Sequence, residues 1–196
     1  MEYNRCDDSG LMLPKVSLGL WHNFGDTSKF ENMRQLCFTA FDNGITQFDL
    51  ANNYGPEPGS AEINFGRILK EDLGKYRDEL IITTKAGYEM WDGPYGNWGS
   101  RKYLLASLDQ SLKRDGTGIC WIFFTIIEWI RSTLWKRPMG ALASAVQSGK
   151  ALYVGLSNYD GKTLSQAASI LQEMYCPFVI NQNRYSILTE LWRKMD

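Results

Sequence analysis

Asp49, Tyr54 and Lys85 are the residues of this chain whose types and placement best suit proton transfer. Asp49 lies in Ile45-Thr46-Gln47-Phe48-Asp49-Leu50-Ala51-Asn52-Asn53-Tyr54-Gly55, and Lys85 ends Leu80-Ile81-Ile82-Thr83-Thr84-Lys85. Each is a short apolar run ending in a charge. That pattern suits a parallel strand buried on both faces, with its working residue at the carboxyl end. If the two ends converge, a lysine ammonium beside Tyr54 favours the phenolate and lowers the phenol's pKa, while Asp49 holds the ammonium. The expected product is a proton-donating site.

These residues need a scaffold that repeats strand and helix. Arg5 to Leu13, with Asp7-Asp8-Ser9-Gly10 as its turn, reads as an N-terminal hairpin. Val16 to Trp21 reads as the first buried strand, and Asp26-Thr27-Ser28 offers N-caps for a helix reaching Asp42, which Asn43-Gly44 ends. Ser60 opens a helix with apolar positions at Ile63, Phe65, Ile68, Leu69 and Leu73, stopped by Gly74. Leu80 to Lys85, Ser100 to Arg114, Ala151 to Leu156, Thr163 to Tyr175 and Phe178 to Gln182 continue the alternation. This order predicts parallel α/β architecture.

At 196 residues the chain falls short of the about 250 typical of an eightfold barrel. A net charge of -1, from 21 basic and 22 acidic residues, leaves no electrostatic footprint for nucleic acid or an anionic membrane. Neither partner is expected. No apolar run approaches the roughly 20 residues of a membrane span, and Met1 to Arg5 lacks a signal segment, so a cytoplasmic location is expected. Cys6, Cys37, Cys120 and Cys176 are scattered without a Cys-x-x-Cys pair, which predicts reduced thiols and no metal site. The Gly93-x-x-Gly96-x-x-Gly99 spacing matches neither a dinucleotide fingerprint nor a Walker loop, so a Rossmann enzyme is disfavoured. Ala86 to Gly99 gathers Tyr88, Trp91, Tyr95 and Trp98, either an aromatic wall for substrate or a surface loop with incidental aromatics.

Three motifs carry a family resemblance. Gly44-Ile45-Thr46-x-Phe48-Asp49-x-Ala51-x-x-Tyr54-Gly55, Thr83-Thr84-Lys85 and Val154-Gly155-Leu156-Ser157-Asn158-Tyr159 occur in order. They resemble the aldo/keto reductases, in the branch of bacterial glyceraldehyde-phosphate reductases and potassium-channel β-subunits. The resemblance implies an incomplete (β/α)8 barrel of about six of the eight strands with an N-terminal hairpin, and a single domain over residues 1–196 cut short at its carboxyl end. It implies NADP(H)-dependent reduction of an aldehyde or ketone, with Asp49, Tyr54 and Lys85 catalytic. It also implies that Trp21, Asp49, Ser157, Asn158 and Gln182 bind the cofactor. Read from the residues alone, Ser157-Asn158 could instead cap a helix, Gln182 could end a strand, and Trp21 could belong to the core.

Two segments depart from the family. The family's catalytic histidine, asparagine in the channel subunits, falls by ungapped count on Ile126, which cannot move a proton. His22 is the chain's single histidine, and either a substrate-facing or a solvated role suits it. Residues 115–138, with Trp121, Trp129 and Trp135, and residues 189–196 read as if translated out of frame. The expectations are a reductase impaired by loss of the catalytic histidine and of the carboxyl-terminal segments that hold the cofactor's phosphates, with Ile119 to Ile127 an exposed aggregation risk, or alternatively a non-catalytic binding module like a channel β-subunit. Substrate and oligomeric state are not legible.

Overall fold

The computed structural model describes residues 1–118, 120–126 and 136–186. The hairpin joins β1 (Tyr3–Arg5) to β2 (Met12–Pro14) antiparallel, around a 3-10 turn at Asp7–Ser9 that Gly10 closes at φ 78°. Six strands then form one parallel sheet in chain order: β3 (Leu18–Gly19), β4 (Gln47–Asp49), β5 (Ile81–Ala86), β6 (Cys120–Ile126), β7 (Ala151–Ser157) and β8 (Phe178–Gln182). The outer layer comprises α1 (Phe30–Asp42), α2 (Ser60–Ile68), α3 (Arg101–Asp115), α4 (Lys136–Gln147) and α5 (Gly161–Glu173). The expected partial barrel of about six strands with an N-terminal hairpin is what the described residues form.

Alternation along β5 positions the site. Ile82 packs beneath α1 and α2, and Thr84 Oγ1 donates to Glu62 Oε1 of α2 at 2.6 Å, so this set of side chains faces the helices. Ile81, Thr83 and Lys85 point the other way. At the amino end of that inner face, Ile81 and Ile122 pack with Leu11 and Leu13 of the hairpin, which closes the floor. Lys85 stands at the opposite, carboxyl end.

Glu62 is fully buried and also accepts from Arg114 Nε at 2.7 Å, tying α2 to α3. The two helices meet at Gly66, where a Cβ would sit 2.5 Å from the carbonyl oxygen of Arg114. Any larger side chain there would force the helices apart.

Two sequence expectations need correction. The first helix starts at Phe30 after an extended Lys29, not at an Asp26-Thr27-Ser28 cap, because Asp26 Oδ1 already accepts from Glu57 N at 3.0 Å and Ser60 Oγ at 3.4 Å. The stretch feared as exposed is an interior strand: β6 pairs with β5 on one side and β7 on the other, and Ile122 and Phe123 are fully buried. Helix α4 begins at Lys136, within the stretch 115–138. Residues 119 and 127–135, with Trp129 and Trp135, and residues 189–196 lie outside the described residues.

Asp115, at the end of α3, carries a pH prediction. Burial, followed by opposing hydrogen bonds from Thr117, leaves its carboxyl pushed up to about 6. The folded chain therefore binds more protons than the unfolded chain between about pH 4 and 6, and stability falls as pH rises through that window. By pH 7 the penalty is about 2 to 3 kcal/mol. Asp115→Asn removes the charge and keeps an Oδ1 to accept from Thr117 N and Oγ1. Urea melts should show it more stable than the parent at pH 7 and no more stable at pH 4. A variant less stable at pH 7 would contradict this reading.

Candidate active site

The carboxyl ends of the strands converge as their apolar-then-charged pattern predicted. Lys85 Nζ, on β5, donates to Asp49 Oδ1 and Oδ2 of β4, both at 2.6 Å, and to Leu50 O at 2.9 Å. The pair is buried, with 3% of the lysine side chain and 9% of the aspartate exposed. A buried ion pair persists only when its remaining lone pairs are satisfied. Thr83 Oγ1 donates to Asp49 Oδ1 at 2.5 Å, and Gln182 Nε2 to Asp49 Oδ2 at 3.2 Å.

Tyr54 follows a turn in which Tyr54 N donates to Ala51 O at 3.1 Å. Its ring lies 5.4 Å from Lys85 Nζ and stacks on Trp21 with centroids 5.6 Å apart and planes 11° off parallel. The expectation of a lowered phenol pKa is overturned. Burial pushes the phenol well up, and the Asp49 carboxylate and then Tyr88 push it further. Lys85 cannot reverse this, because its charge is matched by the carboxylate it grips at both oxygens. A phenol held in its protonated form is a proton donor.

These groups open on a cleft of about 880 Å³ lined by Trp21, Asn53, Tyr54, Lys85, Tyr88, Ser157, Asn158, Gln182, Asn183 and Arg184. Every expected site residue therefore lines the cleft except Asp49, which sits behind Lys85. Ser157 Oγ donates to Gln182 O at 2.9 Å, and Asn158 N to the same oxygen at 3.1 Å, joining the ends of β7 and β8. Asn158 takes a left-handed φ of 64°, which turns the chain over the strand ends. The helix cap after β7 is Asp160 rather than Ser157 or Asn158, since Asp160 Oδ1 accepts from Thr163 N at 2.8 Å. Trp21 is 59% exposed, so it is cleft wall and not core.

Of the aromatic loop, Tyr88 reaches the cleft. Trp91 instead packs on Tyr103 with centroids 5.6 Å apart, and Lys102 lies over Tyr95. Tyr103, which donates to Tyr88 O and accepts from Asn52 Nδ2, pins this loop to the turn before Tyr54. His22 stacks on Trp21 at 4.7 Å and is not among the cleft-lining residues. Ile126 stands at the carboxyl end of β6, paired in register with Ser157.

Sequence reasoning missed Thr83, Asn53, Asn183 and Arg184. Thr83 had a usable signal, since a residue two before Lys85 shares its strand face. Among the described residues no group of His, Cys, Asp and Glu is placed to hold a metal, and no helix is long and apolar enough to cross a membrane.

Comparison with known proteins bears on this geometry. The chain is 57% identical over 188 residues to the L-glyceraldehyde 3-phosphate reductase of Escherichia coli K12, covering 96% of this chain and 54% of that relative. It is 32% identical to the uncharacterized oxidoreductase YrpG of Bacillus subtilis, covering 59% of that protein. The chain thus spans little more than half the length of these curated relatives. Its fold matches the crystal structure of the thermostable aldo-keto reductase Tm1743 in complex with the inhibitor epalrestat, with a TM-score of 0.83 at 28% identity, over 100% of this chain and 66% of that one. The profile of the aldo/keto reductase family matches residues 15–195. With the Asp49, Tyr54 and Lys85 cluster at the strand ends of a partial barrel and a match of this extent, the chain belongs to the aldo/keto reductase family.

Proposed function

We propose that the cleft reduces an aldehyde or ketone with NADP(H), at a rate held down by Ile126, and that residues 1–196 act as one domain. The observation that carries this is the protonated phenol of Tyr54 beside the Asp49–Lys85 pair in an open cleft. Tyr54 gives its proton to the carbonyl oxygen as negative charge develops there. Lys85, held on both Asp49 oxygens, lies beneath the Tyr54 ring, and Asp49, gripped by Thr83 and Gln182, fixes the ammonium. Trp21, stacked flat on Tyr54, limits the phenol's movement.

The residues present suit a nicotinamide carboxamide, which needs a donor and an acceptor together. Asn158 and Gln182, both lining the cleft, carry amides that offer each, and Ser157 adds a hydroxyl. When bound, the reduced cofactor supplies hydride to the carbonyl carbon. Part of the same proposal is a cytoplasmic setting, consistent with Cys6, Cys37 and Cys176 being free thiols. The relative's substrate, glyceraldehyde 3-phosphate, is one candidate carbonyl compound for this chain.

Ile126 stands by ungapped count where the family carries its catalytic histidine, and an isoleucine can neither donate to a carbonyl nor accept from it. Ile126→His in the purified chain should raise aldehyde-dependent NADPH oxidation by about 10- to 100-fold, the lower part of what a positioned acid or base contributes. An unchanged rate would remove Ile126 as the cause of weak turnover. A non-catalytic binding module is favoured by the same isoleucine. It predicts a discrete copurifying partner and no NADPH oxidation in either chain.

A further inference from the structure

Resting on the proposed carbonyl-reducing role of the cleft, we infer that Tyr103 of α3 is a positioning residue, whose hydroxyl holds the turn that carries Tyr54 against the loop that carries Tyr88. Tyr103 is fully buried and does not line the cleft, whereas Tyr54 and Tyr88 both do. A phenol hydroxyl has one proton and two lone pairs. That of Tyr103 donates to Tyr88 O and accepts from Asn52 Nδ2 at 3.0 Å, so one oxygen is bonded to both segments at once. Burial pushes this phenol up, which keeps the donated proton in place.

Each segment is built to follow the point at which it is held. In the aromatic loop, Trp98 N donates to Gly87 O at 3.2 Å and Met90 N to Gly96 O at 2.8 Å, so the loop closes on itself. A Cβ at Gly96 would lie 1.9 Å from Trp91 O, and the Trp91 ring packs in turn on Tyr103. A segment bonded internally in this way loosens as a unit. On the other side, Asn52 N donates to Lys85 O at 2.9 Å and Tyr54 N to Ala51 O at 3.1 Å, so Asn52 and Tyr54 share one turn anchored on β5. Movement of that turn shifts the phenol relative to Lys85, and a misplacement of about 1 Å can cost a hundredfold in rate.

The test is Tyr103→Phe, which keeps the ring against Trp91 and removes both hydrogen bonds. Amide hydrogen exchange, followed by NMR on the purified chain, should quicken at Met90, Trp98 and Tyr54 together by about tenfold beyond any change across α5, the value of one hydrogen bond. The kcat of aldehyde-dependent NADPH oxidation should fall about tenfold while KM moves less than about threefold. Asn52→Leu cuts the arm to the turn alone. It should reproduce the kcat loss and quicken Tyr54 with Met90 and Trp98 at the parent's rates, and it gives the reading should Tyr103→Phe fail to fold. Combined with Tyr103→Phe it should lower kcat no further, because both act through one bond. Exchange that rises evenly along the chain, or in one segment only in Tyr103→Phe, overturns the inference and leaves the carbonyl site standing. An unchanged kcat, or losses that add in the double variant, overturns it too. Absence of aldehyde-dependent NADPH oxidation in the parent overturns the inference together with the proposed function.

Discussion

Lys85→Met should unfold with a stability loss of about 3 to 5 kcal/mol, the largest expected from any single change at this site. The methionine leaves the Asp49 carboxylate buried with Thr83 and Gln182 as its remaining side-chain donors. Removing one partner of a buried pair costs more than the pair itself is worth, because the other charge stays desolvated. Domains of this size are stable by about 5 to 15 kcal/mol, so the variant keeps a fold with a thin margin. Urea denaturation measures the loss. Adding Asp49→Asn to Lys85→Met should recover part of it, since the stranded charge is then gone. A loss under about 1 kcal/mol for the single variant would mean that the carboxylate reaches water and that the pair is not the buried support described here.

Tyr54→Phe should reduce aldehyde-dependent NADPH oxidation by about a hundredfold to ten-thousandfold, the range for loss of a positioned general acid. Stability should move by no more than about 0.5 kcal/mol, because phenylalanine keeps the ring that stacks on Trp21. The split between large kinetic and small structural effect is the diagnostic. A pH signature accompanies it. With burial and Asp49 holding the phenol above its ordinary range, Tyr54 stays protonated across neutral and mildly alkaline pH. The parent's rate should therefore show no loss from this group between pH 6 and about 9. A fall on the alkaline side in that window, absent from Tyr54→Phe, would show a lowered phenol pKa and restore the original sequence expectation.

That expectation failed for a physical reason. Sequence alone put Lys85 beside Tyr54 with Asp49 holding the ammonium; it could not show that both Asp49 oxygens grip it in a buried pair. With the charge matched, burial decides the direction. The strand ends themselves were legible, since the apolar run over Phe178–Gln182 has the bounds read from sequence and Leu80 to Lys85 is displaced by a single residue. Helix α1 was mis-started because Asp26 can cap a helix or hold a loop, and only contact with Glu57 and Ser60 decides between them. The hydrogen bond from Gln182 to Asp49 spans 133 positions, and no local spacing announces it.

The most direct test of the proton-donating site is aldehyde-dependent NADPH oxidation by the Ile126→His chain with and without Tyr54→Phe. Ile126→His should run at least about tenfold faster than the parent, and its rate should fall by at least about a hundredfold when the phenol is removed. Equal rates with and without the Tyr54 hydroxyl would contradict it.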